Sequence, residues 1–301
     1  MAKIPIDLFT DNLIDDLRKF SWEASEVLLY YAKSIKNSVK KKNLIKSKED
    51  EDPVTLADLK VNDLIIQRIN DKYKNTDWGI LSEENVKLNS QNQICNASPN
   101  WLWVLDPLDG TKDFIQGTGN YAMHLALNFK KKPFLGVVLI PEKDELWIAD
   151  GKKVWCEKSN GSKTKINMQK NKELEEMTLV TSKNHRNKNL ENLIEKINFK
   201  NVITMGSIGC KIASILRGES DLYLSLSLPG QSSPKDWDFA APEAILKGAG
   251  GALTSLNNEE LIYSKKNYEQ GGIIVASNNA KTHESKCKRI KEIIREFDLY
   301  P

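Results

Sequence analysis

The segment Trp101–Phe114 carries the residues best suited to chemistry. It reads W-L-W-V-L-D-P-L-D-G-T-K-D-F, a run of bulky apolar residues that stops at Asp106 and is followed by a second carboxylate, Asp109. The apolar half predicts a buried strand, and the Asp-Pro and Asp-Gly steps predict the turn that ends it. Carboxylates at a strand end are suited to Mg²⁺, which prefers oxygen ligands. Because Asp, Pro and Gly are also ordinary turn residues, this segment alone leaves a metal site and a plain polar turn equally open.

A second acidic segment, D-P-V-T-L-A-D at residues 52–58, precedes a predicted helix. Thr55 is suited to the N-cap of that helix, which places Asp58 in the first turn. An acid in a first turn commonly does no more than complement the helix dipole. By itself, this segment is therefore also compatible with a purely structural role.

Three further acids lie at the ends of predicted elements. Glu83 and Glu84 follow a short predicted strand, Trp78–Leu81, and Asp238 lies where a helix begins in the segment W-D-F-A-A. An adjacent acid pair is commonly solvated, and an aspartate at a helix start is commonly an N-cap. Each of these acids therefore has a structural explanation when it is considered alone.

Gly206, Ser207 and Lys211 lie at a predicted strand-to-helix junction. Backbone N–H groups at a helix start have no partner within the helix, and they bind anions such as phosphate. A plain N-cap serine explains the same residues equally well.

Helices and an antiparallel sheet must position the acids of the first half. Apolar periodicity predicts a helix over Asp7–Lys36, which packs on the sheet or forms a dimer seam. A second predicted helix follows Thr55, with Val61, Leu64, Ile65 and Ile69 on its buried face. The charged stretch from Lys40 to Asp52 and the polar stretch Val86–Asn100 are predicted as surface loops. Besides the strands already named, we predict strands at Tyr121–Phe129, Pro133–Ile140, Glu145–Ala149, Val154–Cys156 and Lys165–Met168.

In the second half, strands and helices alternate, which is typical of α/β organisation. We place a domain boundary near residue 170, which separates an N-terminal α+β domain (1–170) from a C-terminal α/β domain (171–301). After Asp238, a face of small residues (Ala240, Ala241, Ala244) permits close helix packing. The predicted strands are Met177–Thr181, Val202–Met205, Leu222–Leu226, Ala252–Leu256 and Ile273–Ala276. The predicted helices are Asn189–Ile197, Ile208–Leu216, Phe239–Lys247 and Glu284–Phe297.

The composition excludes several classes of protein. The 301 residues carry a net charge of only +3, and no basic stripe interleaved with aromatic residues indicates nucleic-acid binding. No apolar run is long enough for a membrane span, and no signal peptide is recognisable at the N-terminus. The three histidines are scattered, which argues against zinc. The four cysteines (Cys95, Cys156, Cys210, Cys287) are far apart, which indicates reduced thiols in a cytoplasmic protein.

Taken together, four motifs resemble the lithium-sensitive, magnesium-dependent phosphatase superfamily of inositol monophosphatases, fructose-1,6-bisphosphatases and bisphosphate nucleotidases. The motifs are D-P-V-T-x-x-D at 52–58, the acid pair at 83–84, D-P-L-D-G-T at 106–111, and W-D-x-A-A at 237–241 followed by the glycine pair at 250–251. Their order and spacing cover nearly the whole chain. The resemblance implies a layered αβαβα sandwich in which these acids share one site.

Within the superfamily, the 3'(2'),5'-bisphosphate nucleotidases are the most similar branch. Their G-T-K-[DE]-F pattern matches Gly110–Phe114, and their G-S-x-x-K and G-x-x-D-L-Y patterns resemble Gly206–Lys211 and Gly218–Tyr223. In this chain, the spacing from Ser207 to Lys211 is one residue longer than in some members.

The resemblance also implies roles for individual residues. Asp106 bridges two Mg²⁺ ions, Glu83 and the Leu108 carbonyl complete one of them, Asp109 and Asp238 complete the other, and Glu83 also touches a weaker third ion. Thr111, oriented by Asp58, activates a water that the cations make more acidic, and Glu83 shares in catalysis. The remaining expected substrate contacts are Gly110, Lys112, Ser207, Lys211, His185 and Arg217.

The implied reaction is hydrolysis of 3'-phosphoadenosine 5'-phosphate to AMP and phosphate in sulfur assimilation. The alternative is an inositol monophosphatase or another sugar phosphatase with the same metals. A catalytically inert scaffold or metabolite sensor on this fold is a third reading, although all the expected metal acids and Thr111 are present. We expect a small-molecule nucleotide as substrate, no membrane or nucleic-acid partner, and a monomer or homodimer.

Overall fold

The computed structural model describes residues 10–37, 45–47, 53–88, 99–168, 172–184 and 186–299. Its helices are α1 (Thr10–Asn37), α2 (Leu56–Tyr73), α3 (Glu83–Leu88), α4 (Thr111–Gln116), α5 (Lys188–Ile197), α6 (Ile208–Leu216), α7 (Asp236–Gly248) and α8 (His283–Glu296). Its strands are β1 (Ile45–Ser47), β2 (Pro53–Thr55), β3 (Gly79–Ser82), β4 (Trp101–Asp109), β5 (Ala122–Phe129), β6 (Lys132–Ile140), β7 (Glu145–Ala149), β8 (Val154–Glu157), β9 (Lys163–Thr164), β10 (Thr178–Ser182), β11 (Asn201–Met205), β12 (Leu222–Ser227), β13 (Ala252–Ser255) and β14 (Gly272–Ser277).

The first half folds around a seven-stranded sheet with the order β3-β4-β5-β6-β7-β8-β9. The pair β3–β4 is parallel and the other pairs are antiparallel. The central strands are covered on both faces, which explains why β4 reads as an almost continuous apolar run. This sheet brings the end of β4 to the edge where the acidic residues lie.

Helices α1 and α2 cover the outer face of this sheet, as the apolar periodicity predicted. Leu17 and Leu28 of α1 and Ile65 of α2 are fully buried in the same cluster as Trp103 and Leu125 of the sheet. Burial of such side chains contributes about 1.5–3 kcal/mol each relative to exposure. The apolar face of α1 therefore packs on the sheet of its own chain.

The second sheet has the order β11-β10-β12-β14-β13 and mixes parallel and antiparallel pairs. Helices α6 and α7 lie between the two sheets in one apolar cluster with residues of both, such as Val138 and Tyr223. Helices α5 and α8 cover the outer face of the second sheet. The layers are thus helix, sheet, helix, sheet, helix, which confirms the αβαβα sandwich.

The close packing predicted for the small residues of α7 is present. A Cβ atom placed on Gly136 of β6 would lie 3.0 Å from both the Ala241 Cα and the Ala244 Cβ. Glycine and alanine therefore let α7 approach the first sheet to a distance that larger side chains would prevent. This contact fixes the helix that carries Asp238.

Several local predictions were wrong. Strand β4 does not stop at Asp106 but runs to Asp109 through a bulge, and the short helix α4 follows it. Residues 86–88 lie in α3 rather than in a loop, and the last strand of the first sheet is Lys163–Thr164 rather than Lys165–Met168. Short pieces such as these are stabilised by tertiary contacts, which local patterns do not encode.

The connector before α2 also differs from its prediction. Where a solvated loop was predicted, β1 and β2 pair as a short antiparallel ribbon. Residues 40–44 and 48–52 of the connector, residues 7–9 of the predicted first helix and residues 89–98 of the predicted 86–100 loop lie outside the described residues. The two sheets divide the chain between Thr164 and Thr178, and the boundary near residue 170 stays a prediction.

Candidate active site

Three carboxylates from distant parts of the chain converge at one point. One oxygen each of Asp106, Asp109 and Asp238 can be chosen so that all three lie within 4.8 Å of one another. Asp106 and Asp109 come from the end of β4, and Asp238 comes from the first turn of α7. Carboxylate oxygens at this separation form a donor set that suits a hard divalent cation.

The end of β4 is shaped so that both of its acids can point to this site. The β4–β5 register shifts between Asp106 and Asp109, as in a β-bulge, and Leu108 N donates to Asp106 Oδ1 at 3.1 Å. Bulges commonly redirect side chains next to active sites. Without the bulge, two residues three apart on a strand would point to opposite faces.

Asp238 reaches the site through the capping of α7. Its Oδ2 accepts from the backbone N–H of Lys235 at 2.5 Å, which forms half of a capping box. Asp238 is therefore not the N-cap considered from the sequence: Lys235 is the N-cap, and Asp238 is the third residue of the helix. A helix start held in this way fixes the direction of its acidic side chain.

Glu83 and Asp58 extend the acidic cluster. Burial raises the pKa of Asp106 well above its usual range, and the neighbouring charge of Glu83 raises it further. Burial and the charge of Glu83 also raise the pKa of Asp58, and burial raises the pKa of Glu83 itself. Carboxylates that disfavour one another's ionisation in a buried site are stabilised by a bound cation.

Lys87 is an ion-pair partner of this cluster that sequence analysis missed. Its ammonium lies 2.7 Å from Glu83 Oε1 and 2.9 Å from Glu84 Oε1. The helical spacing from Glu83 to Lys87, four residues, was available in the sequence as a signal. It went unused because this stretch was predicted as a strand end followed by a loop.

Gly110 and Thr111 form the turn between β4 and α4. Gly110 has φ 87°, and a Cβ atom there would lie 2.9 Å from the Asn120 carbonyl oxygen and 3.1 Å from the Ser207 Cβ. Only glycine fits this conformation and this space. Thr111 Oγ1 donates to the Leu108 carbonyl at 3.1 Å, and Lys112 is half-buried beside it.

The start of α6 places Ser207 against Asp109. This residue is the N-cap, since its Oγ accepts from Cys210 N at 3.1 Å, and the same Oγ donates to Asp109 Oδ2 at 2.7 Å. The N–H groups of Ile208 and Gly209 also point to Asp109 Oδ2, at 2.5 and 3.2 Å. The expected phosphate site at this helix start is therefore filled by a carboxylate of the protein itself.

Lys211, the second expected phosphate contact in this segment, is buried. Its Nζ donates to the Gly206 carbonyl at 2.8 Å and lies 5.7 Å from the Tyr223 ring centroid. Burial lowers the pKa of Lys211, while the nearby charges of Asp109 and Asp238 raise it. Its ammonium therefore belongs to the electrostatic surroundings of the acid cluster.

Arg217 and His185 gain no support as substrate contacts. The Arg217 guanidinium pairs with Glu145 at 2.8 Å and with Glu219 at 2.7 Å, so its charge is already compensated. Its expected substrate role stays a prediction. His185 lies outside the described residues.

A match over most of the chain identifies its family. The sequence matches the inositol monophosphatase family over residues 11–295. The chain belongs to this family.

Relatives of this family member include bisphosphate nucleotidases. The 3'(2'),5'-bisphosphate nucleotidase CysQ of Buchnera aphidicola is 34% identical over 220 residues, which cover 72% of this chain and 76% of that protein. The protein of the same name from Escherichia coli K12 is 27% identical over 228 residues, or 73% and 83% of the two chains.

Solved structures share the fold of this chain. The extragenic suppressor protein suhB of Bartonella henselae superposes with a TM-score of 0.73 at 21% identity and covers 93% of this chain and 99% of its own. The Thermotoga maritima IMPase TM1415 superposes with a TM-score of 0.70 at 22% identity and covers 95% of this chain and 99% of its own.

Among the described residues, no helix is both long and apolar enough to span a membrane.

Proposed function

We propose that this protein is a Mg²⁺-dependent phosphomonoesterase of the 3'(2'),5'-bisphosphate nucleotidase type. The reaction would convert 3'-phosphoadenosine 5'-phosphate and water to AMP and phosphate. The observation that supports it most directly is the convergence of Asp106, Asp109 and Asp238 in a chain similar to bisphosphate nucleotidases over most of its length. We further propose a cytoplasmic role in sulfur assimilation for a monomer or homodimer.

The cation-binding residues follow from the geometry together with the family. Asp106, Asp109 and Asp238 would hold Mg²⁺, with Glu83 and the Leu108 carbonyl as further ligands and two or three ions in total. When bound, the cations would make a water molecule more acidic and neutralise charge on the phosphoryl group. The donor set fits this role because it consists of oxygen atoms and carries an excess of negative charge.

Thr111 and Asp58 would orient the attacking water. Thr111 Oγ1 donates its proton to the Leu108 carbonyl, so the oxygen's lone pairs can accept a hydrogen bond from a water. Asp58 is buried beside Glu83, and burial favours its protonated form. Bound cations would favour the ionised form of this carboxylate. We propose that the Thr111 hydroxyl then turns from the Leu108 carbonyl, donates its proton to the ionised Asp58 and takes the water's proton in exchange, with Glu83 helping to place the water.

The substrate's phosphate groups would contact backbone atoms and lysine side chains around the same turn. Gly110 lets the chain approach a phosphate closely, and Lys112 is half-buried next to it. Lys211 remains a candidate through its charge, provided that it exchanges the Gly206 carbonyl for a phosphate oxygen. Ser207 is better placed to hold Asp109 than to hold substrate.

Phosphate release from a panel of phosphoesters tests this proposal. The panel contains 3'-phosphoadenosine 5'-phosphate, AMP, inositol 1-phosphate and fructose 1,6-bisphosphate. Each ester is assayed with Mg²⁺, with chelator and with added Li⁺. We expect the adenosine bisphosphate to be hydrolysed fastest, only with Mg²⁺, and to be inhibited by Li⁺. Faster turnover of inositol 1-phosphate would favour the inositol monophosphatase alternative. No turnover of any ester would contradict the enzymatic proposal.

A further inference from the structure

Asp109 is enclosed by groups that lie far from it in the chain. Its Oδ2 accepts from the Ser207 hydroxyl and from the N–H groups of Ile208 and Gly209, all at the start of α6. On another side, Nε2 of His124 lies 3.3 Å from the same oxygen. A carboxylate held by several partners loses the freedom to change its rotamer.

The His124 ring lies between the two chain segments that carry these acids. It is fully buried on β5, where the strand register places His124 opposite Asp106. Its Nδ1–H donates to the carbonyl of Trp237, the residue before Asp238, at 3.3 Å. The ring thus donates to the start of α7 through Nδ1, whereas Nε2 makes no hydrogen bond with any described residue and packs against Asp109 Oδ2.

Gly209 provides the space for this ring. A Cβ atom on Gly209 would overlap His124 Nε2 and would lie 2.8 Å from Val138 Cγ1. No positive φ requires glycine at this position, so the need is for space and not for a special backbone conformation. His124 and Gly209 therefore form a matched pair across the layer between β5 and α6.

We propose that His124, seated against Gly209, is a positioning residue that sets the separation between Asp109 and Asp238. This inference rests on the proposed metal site. Loss of the ring would leave a gap beside Asp109 and remove the contact with the Trp237 carbonyl, so both carboxylates would become less well placed. Residues that orient metal ligands in this way typically contribute about 10–100-fold in metal affinity.

Mn²⁺ binding to the full chain without substrate tests the inference, because electron paramagnetic resonance measures free Mn²⁺ directly. We expect His124→Leu and Gly209→Ala each to weaken Mn²⁺ binding by about 10–100-fold. In a His124→Ser, Val138→Ala background, where neither side chain overlaps the added methyl group, Gly209→Ala should weaken binding by less than about threefold. His124→Asn, which keeps a polar side chain, should fall between the wild type and His124→Leu.

Val138→Ala is the matched packing control, because Val138 lines the same space but is no proposed ligand. It should lower the melting temperature and leave Mn²⁺ affinity unchanged. The inference is overturned if His124→Leu and Gly209→Ala behave like Val138→Ala, or if Gly209→Ala is equally harmful in both backgrounds. Asp109→Asn separates the two proposals: if it binds Mn²⁺ as tightly as wild type, the metal site itself is wrong. If Asp109→Asn weakens Mn²⁺ binding while His124→Leu and Gly209→Ala do not, the metal site stands and only the role of His124 is wrong.

Discussion

Asp106, Asp109 and Asp238 bring three carboxylates within a few ångströms of one another in a mostly buried site. Such a cluster is unfavourable unless protons or cations compensate it. The raised pKa values of Asp106 and Asp238 express this cost in the absence of a cation. The site is therefore better explained by a cation-binding function than by a contribution to stability.

Asp109→Asn tests the metal-ligand assignment. The amide keeps the size of the side chain but removes a negative charge, so we expect an intact fold and a loss of about 10³-fold in kcat/KM, roughly 4 kcal/mol of transition-state stabilisation. Phosphate release and circular dichroism are the measurements. Asp71→Asn, an exposed change on α2, is the control and should have no effect. Activity within a few-fold of wild type in Asp109→Asn would show that the assignment is wrong.

Thr111→Ala tests the proposed activation of water. The variant loses the hydroxyl that would accept the water's hydrogen bond, so we expect kcat to fall by about 10²–10⁴-fold, the usual range for general acid–base catalysis. Mg²⁺ affinity, measured by calorimetry, should stay near the wild-type value. Thr111→Ser keeps the hydroxyl and should recover most of the rate. A Thr111→Ala defect confined to KM or metal affinity would argue for a binding role instead.

At the scale of elements, the site depends on how closely α7 lies on the first sheet. Gly136 on β6 and the alanines of α7 allow this approach, and α7 carries Asp238 at its third position. Helix α6 lies in the same layer and supplies the N–H groups around Asp109. The middle helical layer therefore links packing directly to the geometry of the carboxylates.

Gly136→Ala tests this link. The added methyl group would lie about 3.0 Å from two atoms of α7, so we expect the helix to shift and the free energy of unfolding to fall by about 1–3 kcal/mol. Mg²⁺ affinity should fall as well, because Asp238 moves with the helix. Denaturant unfolding and calorimetry measure the two effects. Gly271→Ala, where the added methyl group would lie 3.9 Å from the Ser233 Cβ, is the control and should change neither. Unchanged metal affinity in a destabilised Gly136→Ala variant would separate packing from the site.

At the scale of the whole molecule, the acid cluster makes stability depend on both pH and cations. Asp58, Asp106 and Asp238 have pKa values in the folded chain that are higher than in the unfolded chain. The folded state therefore binds more protons between these values, and its stability falls as pH rises above about 4, the unfolded-state pKa of aspartate. A bound cation would offset this loss, since it favours the ionised carboxylates.

We accordingly expect Mg²⁺ to raise the melting temperature more at pH 8 than at pH 5, and chelator to reverse the effect. Ligand binding to the folded state contributes RT ln(1 + [L]/Kd), and Kd should fall as the carboxylates ionise. Differential scanning calorimetry at both pH values with fixed Mg²⁺ is the measurement. If Mg²⁺ raises the melting temperature at pH 8 by no more than at pH 5, the carboxylates with raised pKa values are not the residues that bind Mg²⁺.

The sequence by itself determined the identities of the acids, the αβαβα class and most helices and strands. The helix Ile208–Leu216 was predicted at its observed bounds, and the predicted bounds of β7 are also the observed ones. These elements have strong periodicity or clear end signals, and both are local properties of the chain. The motifs at residues 106–111 and 237–241 were sufficient to predict that Asp106, Asp109 and Asp238 lie together, because residue types and their order are visible without coordinates.

Only the tertiary structure decided which groups surround those acids. The contact of His124 with Asp109, the hydrogen bonds from the start of α6 to Asp109 and the ion pair of Arg217 with Glu145 join residues that are far apart in the chain. The ion pair of Lys87 with Glu83 depends on a helix that local patterns did not reveal. Ser207 shows the reason: its N-cap position was readable, but whether the helix start meets a phosphate or a carboxylate depends on what another strand brings to it. Local patterns encode the donors of a hydrogen bond, and folding selects the acceptor.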